Sequence, residues 1–223
     1  MIYKNVKAGV FLSRPNRFIA NVEIDGEVHV CHVKNTGRCK ELLIPGVKVF
    51  LEESDNPNRK TKFDLIAVYK GDKLFNIDSN APNKVFYEWL KELNEITLIK
   101  PERTYKNSRF DFYVEAGERK AFIEVKGVTL EKDGVHMFPD APTERGVKHI
   151  NELISCVKEG YGGAIVFVVQ TNFGEYFTPN RDTHPEFAQA LKIAEKQGVK
   201  ILCFNCDVAP NELKIKEKIK VIL

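Results

Sequence analysis

The chain has 223 residues, 43% hydrophobic and 29% charged, which supplies cores for one large or two modest domains and excludes disordered, collagenous and repeat-array proteins. No apolar run approaches about 18 residues and the opening residues hold no long apolar stretch, so neither a membrane span nor a secretory signal is predicted and a cytoplasmic protein is expected. The net charge is only +3, but residues 1–78 carry 13 Lys/Arg against 10 Asp/Glu while the rest is balanced at 21 each, so the whole excess lies in the first third, a mild pointer to a nucleic-acid-facing module there.

Residues 8–77 show short β-rich runs: Ala8–Ser13, Phe18–Ile24, Val28–Val33, Val47–Glu52 and Leu65–Tyr69. The Asp25-Gly26 dipeptide between the second and third is a hairpin signal. Several short strands in about 70 residues predict a small barrel or curled sheet, for which an OB-like barrel is a fitting member. The polar stretch 53–62, ESDNPNRKTK, reads as a surface loop.

After Asp78 the period changes. Ser79-Asn80-Ala81-Pro82 offers helix-start chemistry, and Val85, Phe86, Trp89, Leu90 and Leu93 follow at helical spacing. A boundary near residue 79 is therefore expected, giving domains 1–78 and 79–223. Strands are predicted at 109–115 and 121–128, then a helix from about Glu144 with Val147, Ile150, Ile154 and Val157 on one face. The continuous apolar run 164–171 marks a buried central strand. A helix at about 185–197, a strand at 199–205 and the alternating Leu213, Ile215, Ile219 and Val221 complete an order that implies helices covering a mixed sheet. The five scattered cysteines, Cys31, Cys39, Cys156, Cys203 and Cys206, are odd in number and read as reduced thiols. Cys203 and Cys206 form a lone CxxC without a second pair, a weak basis for a zinc site.

Residues 109–126 carry the most chemistry. With Gly117-Glu118 as the central residues of a type II′ turn, Ala116 pairs with Arg119 and Asp111 falls opposite Glu124. Facing carboxylates repel unless a cation lies between them. Glu124 and Lys126 share a face by strand alternation. Two carboxylates and an ammonium suit phosphodiester hydrolysis: hard oxygen ligands for Mg²⁺ or Mn²⁺ at Asp111 and Glu124, with Lys126 orienting water or stabilising developing charge. A solvated strand face with alternating charges is the competing reading.

Asp111 with Glu124-Val125-Lys126 resembles the PD-(D/E)XK nuclease signature, with Arg109-Phe110 standing where a proline can precede the aspartate. Longer strings are more specific. Asn16-Arg17-Phe18, Asn35-Thr36-Gly37-Arg38 with Glu41-Leu42-Leu43-Ile44-Pro45-Gly46, and Phe138-Pro-Asp-Ala-Pro-Thr143-Glu-Arg145-Gly-Val-Lys148-His149 resemble the sugar fermentation stimulation protein A family over about residues 12–171. The resemblance implies an OB-like N-terminal domain, a restriction-endonuclease-like α/β domain with a mixed sheet, and DNA binding with a role in gene regulation. In nuclease-like folds a first-helix carboxylate can complete the metal site. Glu88 is the one available, although its helical angle lies well away from the apolar stripe.

Arg14, Arg17, Arg38 and Lys40 are the expected phosphate contacts of the N-terminal module, with Phe18 near them as a base-stacking candidate, although an aromatic residue in a short strand is expected in the core. Arg145, Lys148 and His149 follow Thr143, an expected N-cap, and are candidates for a further phosphate. Gln170 ends a buried strand within reach of the site. Two functions follow: a largely sequence-nonspecific DNA-binding protein, or a metal-dependent nuclease.

Overall fold

A computed structural model describes residues 1–35 and 37–223; Thr36, within the Asn35–Arg38 string, lies outside the described residues. The N-terminal unit comprises β1 (Val6–Asn16), β2 (Ile19–Ile24), β3 (Glu27–Val33), β4 (Lys48–Glu53), β5 (Phe63–Lys70) and β6 (Lys73–Asn76). Their order is β3-β2-β1-β4-β5-β6, and a short parallel pairing of β3 with β5 closes the first five into an OB-like barrel. Asp25 and Gly26 both have positive φ (52° and 83°), the backbone that joins two twisted strands in two residues. Ala20, Val22 and Ile24 alternate into a core shared with Phe11, Leu51, Leu65 and Phe75.

The second unit runs α1 (Ala81–Lys91), β7 (Leu98–Tyr105), β8 (Ser108–Ala116), β9 (Arg119–Val128), β10 (Leu130–Lys132), β11 (Val135–Phe138), α2 (Glu144–Lys158), β12 (Gly162–Val169), β13 (Tyr176–Pro179), α3 (Pro185–Lys196), β14 (Lys200–Ala209), β15 (Glu212–Lys218) and β16 (Lys220–Val221). The main sheet is ordered β15-β14-β12-β9-β8-β7. β9, β12 and β14 are parallel at its centre, and antiparallel strands flank them. Helices α2 and α3 cover one face through Ile150, Leu153, Phe187 and Leu191. Helix α1 covers the other through Val85, Phe86 and Leu90.

Five strands fall outside the expected set: β6, β7 and the short β13, with β10 and β11 where only a linker is legible. β7, LIKPERTY, is exposed from Lys100 to Thr104 and contains Pro101. It pairs only with β8, the edge position at which a proline costs no ladder bond. Cys203 and Cys206 belong to the cores on opposite faces of β14, as a three-residue spacing on a strand requires. Burial pushes both thiols up, and the two side chains lie in separate cores.

The units are stitched together. Gln170 Nε2 donates to Asn76 Oδ1 (2.8 Å) and to the Asp78 carbonyl (3.0 Å), and Lys70 reaches Glu131 at 2.8 Å. Residues 1–3 bridge the two units: Tyr3 N donates to the Asn211 carbonyl and Ile2 bridges Glu212, while the Tyr3 ring packs with Phe50, Ile66 and Leu74 of the barrel side.

Candidate functional site

The β8–β9 hairpin turns at Gly117, φ 61°. Its ladder runs from Ala116↔Arg119 to Phe112↔Ile123, the register that the turn predicts. Asp111 is the next residue, and there the two strands part. The Asp111 carboxylate takes over the ladder's role: Oδ2 accepts the Val125 N–H at 2.7 Å and Oδ1 accepts from Asn83 Nδ2 of α1, also at 2.7 Å. Glu124 instead turns toward α2. Its Oε1 accepts from Lys126 Nζ and pairs with His149 Nδ1, both at 2.6 Å. Asp111 and Glu124 are thus no facing pair on one sheet face; they approach the open end of the hairpin from the α1 and α2 sides. Departure of β8 from the ladder causes the difference.

The two acids remain electrostatically joined. Burial, then the Glu124 charge, pushes the Asp111 carboxyl up. Burial pushes Glu124 up as well, but the hydrogen bond from His149 and the ammonium of Lys126 outweigh it and hold Glu124 below the usual range. Glu124 is 3% exposed, and its Oε2 has no hydrogen-bond partner. A buried carboxylate oxygen without a partner is costly, and a second acid beside it is more so. That donor set fits a hard divalent cation held by two carboxylates that keeps water or substrate oxygens elsewhere. No cluster of three or more His, Cys, Asp or Glu among the described residues forms a fuller metal cage.

Glu88 is not part of this group. It is exposed and accepts from the N-terminal ammonium of Met1 at 2.6 Å, because its helix face turns toward β15 and the chain start. Asn83, five residues nearer the helix start, is the α1 residue that reaches Asp111. His149 was legible only as a basic neighbour of Arg145. In the fold it is buried against Glu124, and its Nε2 accepts from Arg145 Nε at 3.4 Å. Lys148 points away, donating to the Asn107 carbonyl at 2.9 Å. Gly127 keeps the neighbourhood tight: a Cβ there would meet Pro82 Cγ at 2.7 Å and Gln170 Oε1 at 2.8 Å.

A second feature lies between the units. Arg14, Arg17, Arg38 and Lys40 of the barrel face Phe138–Thr143, the segment leading into α2, across a cleft of about 650 Å³. Among the described lining residues, Asp140 is the only carboxylate, and its Oδ2 accepts the Arg38 N–H at 3.3 Å. Arg14 is not a free phosphate ligand. Its guanidinium donates to the carbonyls of Arg38 (2.6 Å), Arg17 (2.7 Å) and Asn35 (2.7 Å), clasping two loops. Arg17, Arg38 and Lys40 are exposed. Phe18, expected in the core, is also exposed.

An OB-like barrel followed by an α/β domain on a mixed sheet, with an acidic pair and a lysine where the central hairpin opens, defines the class. The chain belongs to the sugar fermentation stimulation protein family: the SfsA N-terminal OB domain matches residues 12–77 and the sugar fermentation stimulation protein RE domain matches residues 80–212. It is 59% identical to a sugar fermentation stimulation protein homolog of Desulfitobacterium hafniense over 100% of this chain and 99% of that one. A homolog of Clostridium beijerinckii is 57% identical over the whole of both chains. The solved structure of Pyrococcus furiosus SfsA in complex with Ca²⁺ matches with a TM-score of 0.88 and 28% identity, covering 100% of this chain and 98% of that one.

Proposed function

We propose that this protein binds DNA, largely without sequence preference, by laying the phosphate backbone in the cleft between barrel and α/β domain. The observation that carries this reading is the convergence of Arg17, Arg38 and Lys40, from two barrel loops, on one cleft with a single opposing carboxylate among the described residues. Guanidinium and ammonium groups on a shared concave wall bind phosphate by charge and not by base identity. A role in gene regulation accords with this reading. In a gel shift with a mixed-sequence fragment, wild type retards the DNA and Arg17→Ala/Arg38→Ala does not. Equal retardation by both proteins would refute the cleft as the binding surface.

A second reading, metal-dependent phosphodiester hydrolysis, is favoured by the partnerless Oε2 of Glu124 beside Asp111. The Pyrococcus furiosus relative was solved with Ca²⁺, a cation of the same hard, oxygen-seeking kind. Asp111 and Glu124 would hold Mg²⁺ or Mn²⁺. A cation so bound polarises a phosphoryl oxygen and acidifies its water. Within the chain, Lys126 and His149 neutralise one oxygen of Glu124 and leave the other free, while Asn83 and the Val125 N–H fix Asp111. Lys126 is one-fifth exposed, open enough for its ammonium to meet an incoming phosphate. Plasmid incubated with Mn²⁺ is expected to be nicked by wild type and not by Asp111→Asn; intact plasmid with wild type would remove the enzymatic reading and leave binding.

A further inference from the structure

Fourteen of the fifteen phenylalanines are buried or half-buried. Phe18 alone is exposed, at 50%. It ends the β1–β2 turn, where Pro15, Asn16 and Arg17 are exposed too. An isolated exposed aromatic is unremarkable by itself, but this one stands on an unusually fixed backbone. Asn16 Oδ1 accepts the Phe18 N–H at 2.9 Å, and the Phe18 carbonyl accepts from Val33 N at 2.8 Å. The Arg14 guanidinium holds the Arg17 carbonyl on one side and the Asn35 and Arg38 carbonyls on the other. One half-buried clasp therefore ties the turn bearing Arg17 and Phe18 to the loop bearing Arg38.

Among the described residues, no other ring stacks on Phe18 and no cation sits over it, although most of the chain's phenylalanines make such contacts. Phe18 follows Arg17 in the chain, and Arg17 lines the cationic cleft with Arg38 and Lys40. A rigid free aromatic face beside phosphate-seeking cations matches the chemistry of a strand whose bases are unpaired, since duplex bases have no exposed face to offer. We propose that Phe18 is a base-stacking platform, and that the cleft takes single-stranded or locally unpaired DNA with its backbone on Arg17, Arg38 and Lys40. The proposal rests on the DNA-binding reading and adds the form of nucleic acid to it.

Fluorescence anisotropy with one labelled mixed-sequence oligonucleotide, alone and annealed to its complement, tests this on the full chain. Phe18→Ala is expected to weaken single-strand binding about 5- to 150-fold, the range that loss of one stacked base gives, and to change duplex binding less than about twofold. Phe18→Trp is expected to restore wild-type affinity. Because the ring is exposed, the variants should unfold thermally with wild type, which a melt checks. If Phe18→Ala binds the single strand as wild type does while Arg17→Ala/Arg38→Ala does not, the stacking role is wrong and DNA binding stands. Equal loss on strand and duplex also overturns the stacking role. If wild type binds neither, both readings fall.

Discussion

The acidic pair and the cationic cleft were assembled in different ways. Asp111, Glu124 and Lys126 come from one hairpin, so a local turn sets their spacing, and helices α1 and α2 then supply Asn83 and His149 to hold them. The cleft instead draws Arg17 and Arg38 from two barrel loops and faces them with a segment about 100 residues away. Charge in the first region is buried and neutralised by neighbours; in the second it is exposed and left available. A buried acid pair stores electrostatic cost that a cation relieves, whereas exposed arginines store none and act through the field they present.

Removing either acid should have the largest effect. Calorimetric titration with Mn²⁺ is expected to show a loss of affinity beyond about 100-fold for Glu124→Gln, exceeding what supporting residues contribute; unchanged affinity would place the metal elsewhere. On the cleft side the comparable change is Arg14→Ala, which strips charged hydrogen bonds from three carbonyls and should cost roughly 2–3 kcal/mol in denaturant unfolding. Arg14→Lys should not rescue it, because an ammonium cannot span three acceptors with one planar fork. Full stability of the lysine variant would show that the clasp is a matter of charge alone.

Next come the residues that hold the acids. Asn83→Ala and His149→Ala should each weaken Mn²⁺ binding about 10- to 100-fold without altering DNA affinity, and a loss of DNA affinity instead would blur the separation of the two regions. The barrel's closure offers a pH contrast. Asp64 is buried, which raises its pKa, but the Arg59 fork and Lys34 prevail and hold it at about 2. A carboxylate depressed in the fold stabilises it above the unfolded pKa near 4 and loses that contribution as pH falls toward 2. The amount is on the order of 2 kcal/mol. Acid unfolding followed by circular dichroism should therefore show Asp64→Asn less stable than wild type at neutral pH, with the gap closing between about pH 4 and 2. A gap that stays constant would contradict the assignment.

What the sequence made legible follows the same division. Turn chemistry at Gly117 and alternation along β8 and β9 sufficed for the register, and the Thr143 N-cap for the start of α2, where its Oγ1 accepts from Gly146 N at 3.1 Å. Glu88 was misplaced because helical phase fixes which residues face the core but not which neighbour meets each flank. Asn83 carries no local signal: an asparagine in a helix's first turn needs no tertiary partner. Phe18 continues the inward parity of Ala20, Val22 and Ile24, so periodicity puts it in the core. The side chain of Asn16 turns the backbone before β2 begins and lifts the ring out. Arg14 looked like its basic neighbours, and only the fold shows three carbonyls around it. β7 escaped notice because an edge strand exposed along most of its length has no apolar alternation to read.

The salt dependence of DNA affinity tests the central claim most directly. With a labelled mixed-sequence duplex, the logarithm of the binding constant should fall linearly with the logarithm of salt concentration. Each phosphate neutralised contributes about 0.9 to that slope, so Arg17→Ala/Arg38→Ala should be shallower than wild type by nearly 2. Parallel slopes for the two proteins would contradict the account, because the cleft arginines would then be releasing no counterions and the backbone would lie elsewhere.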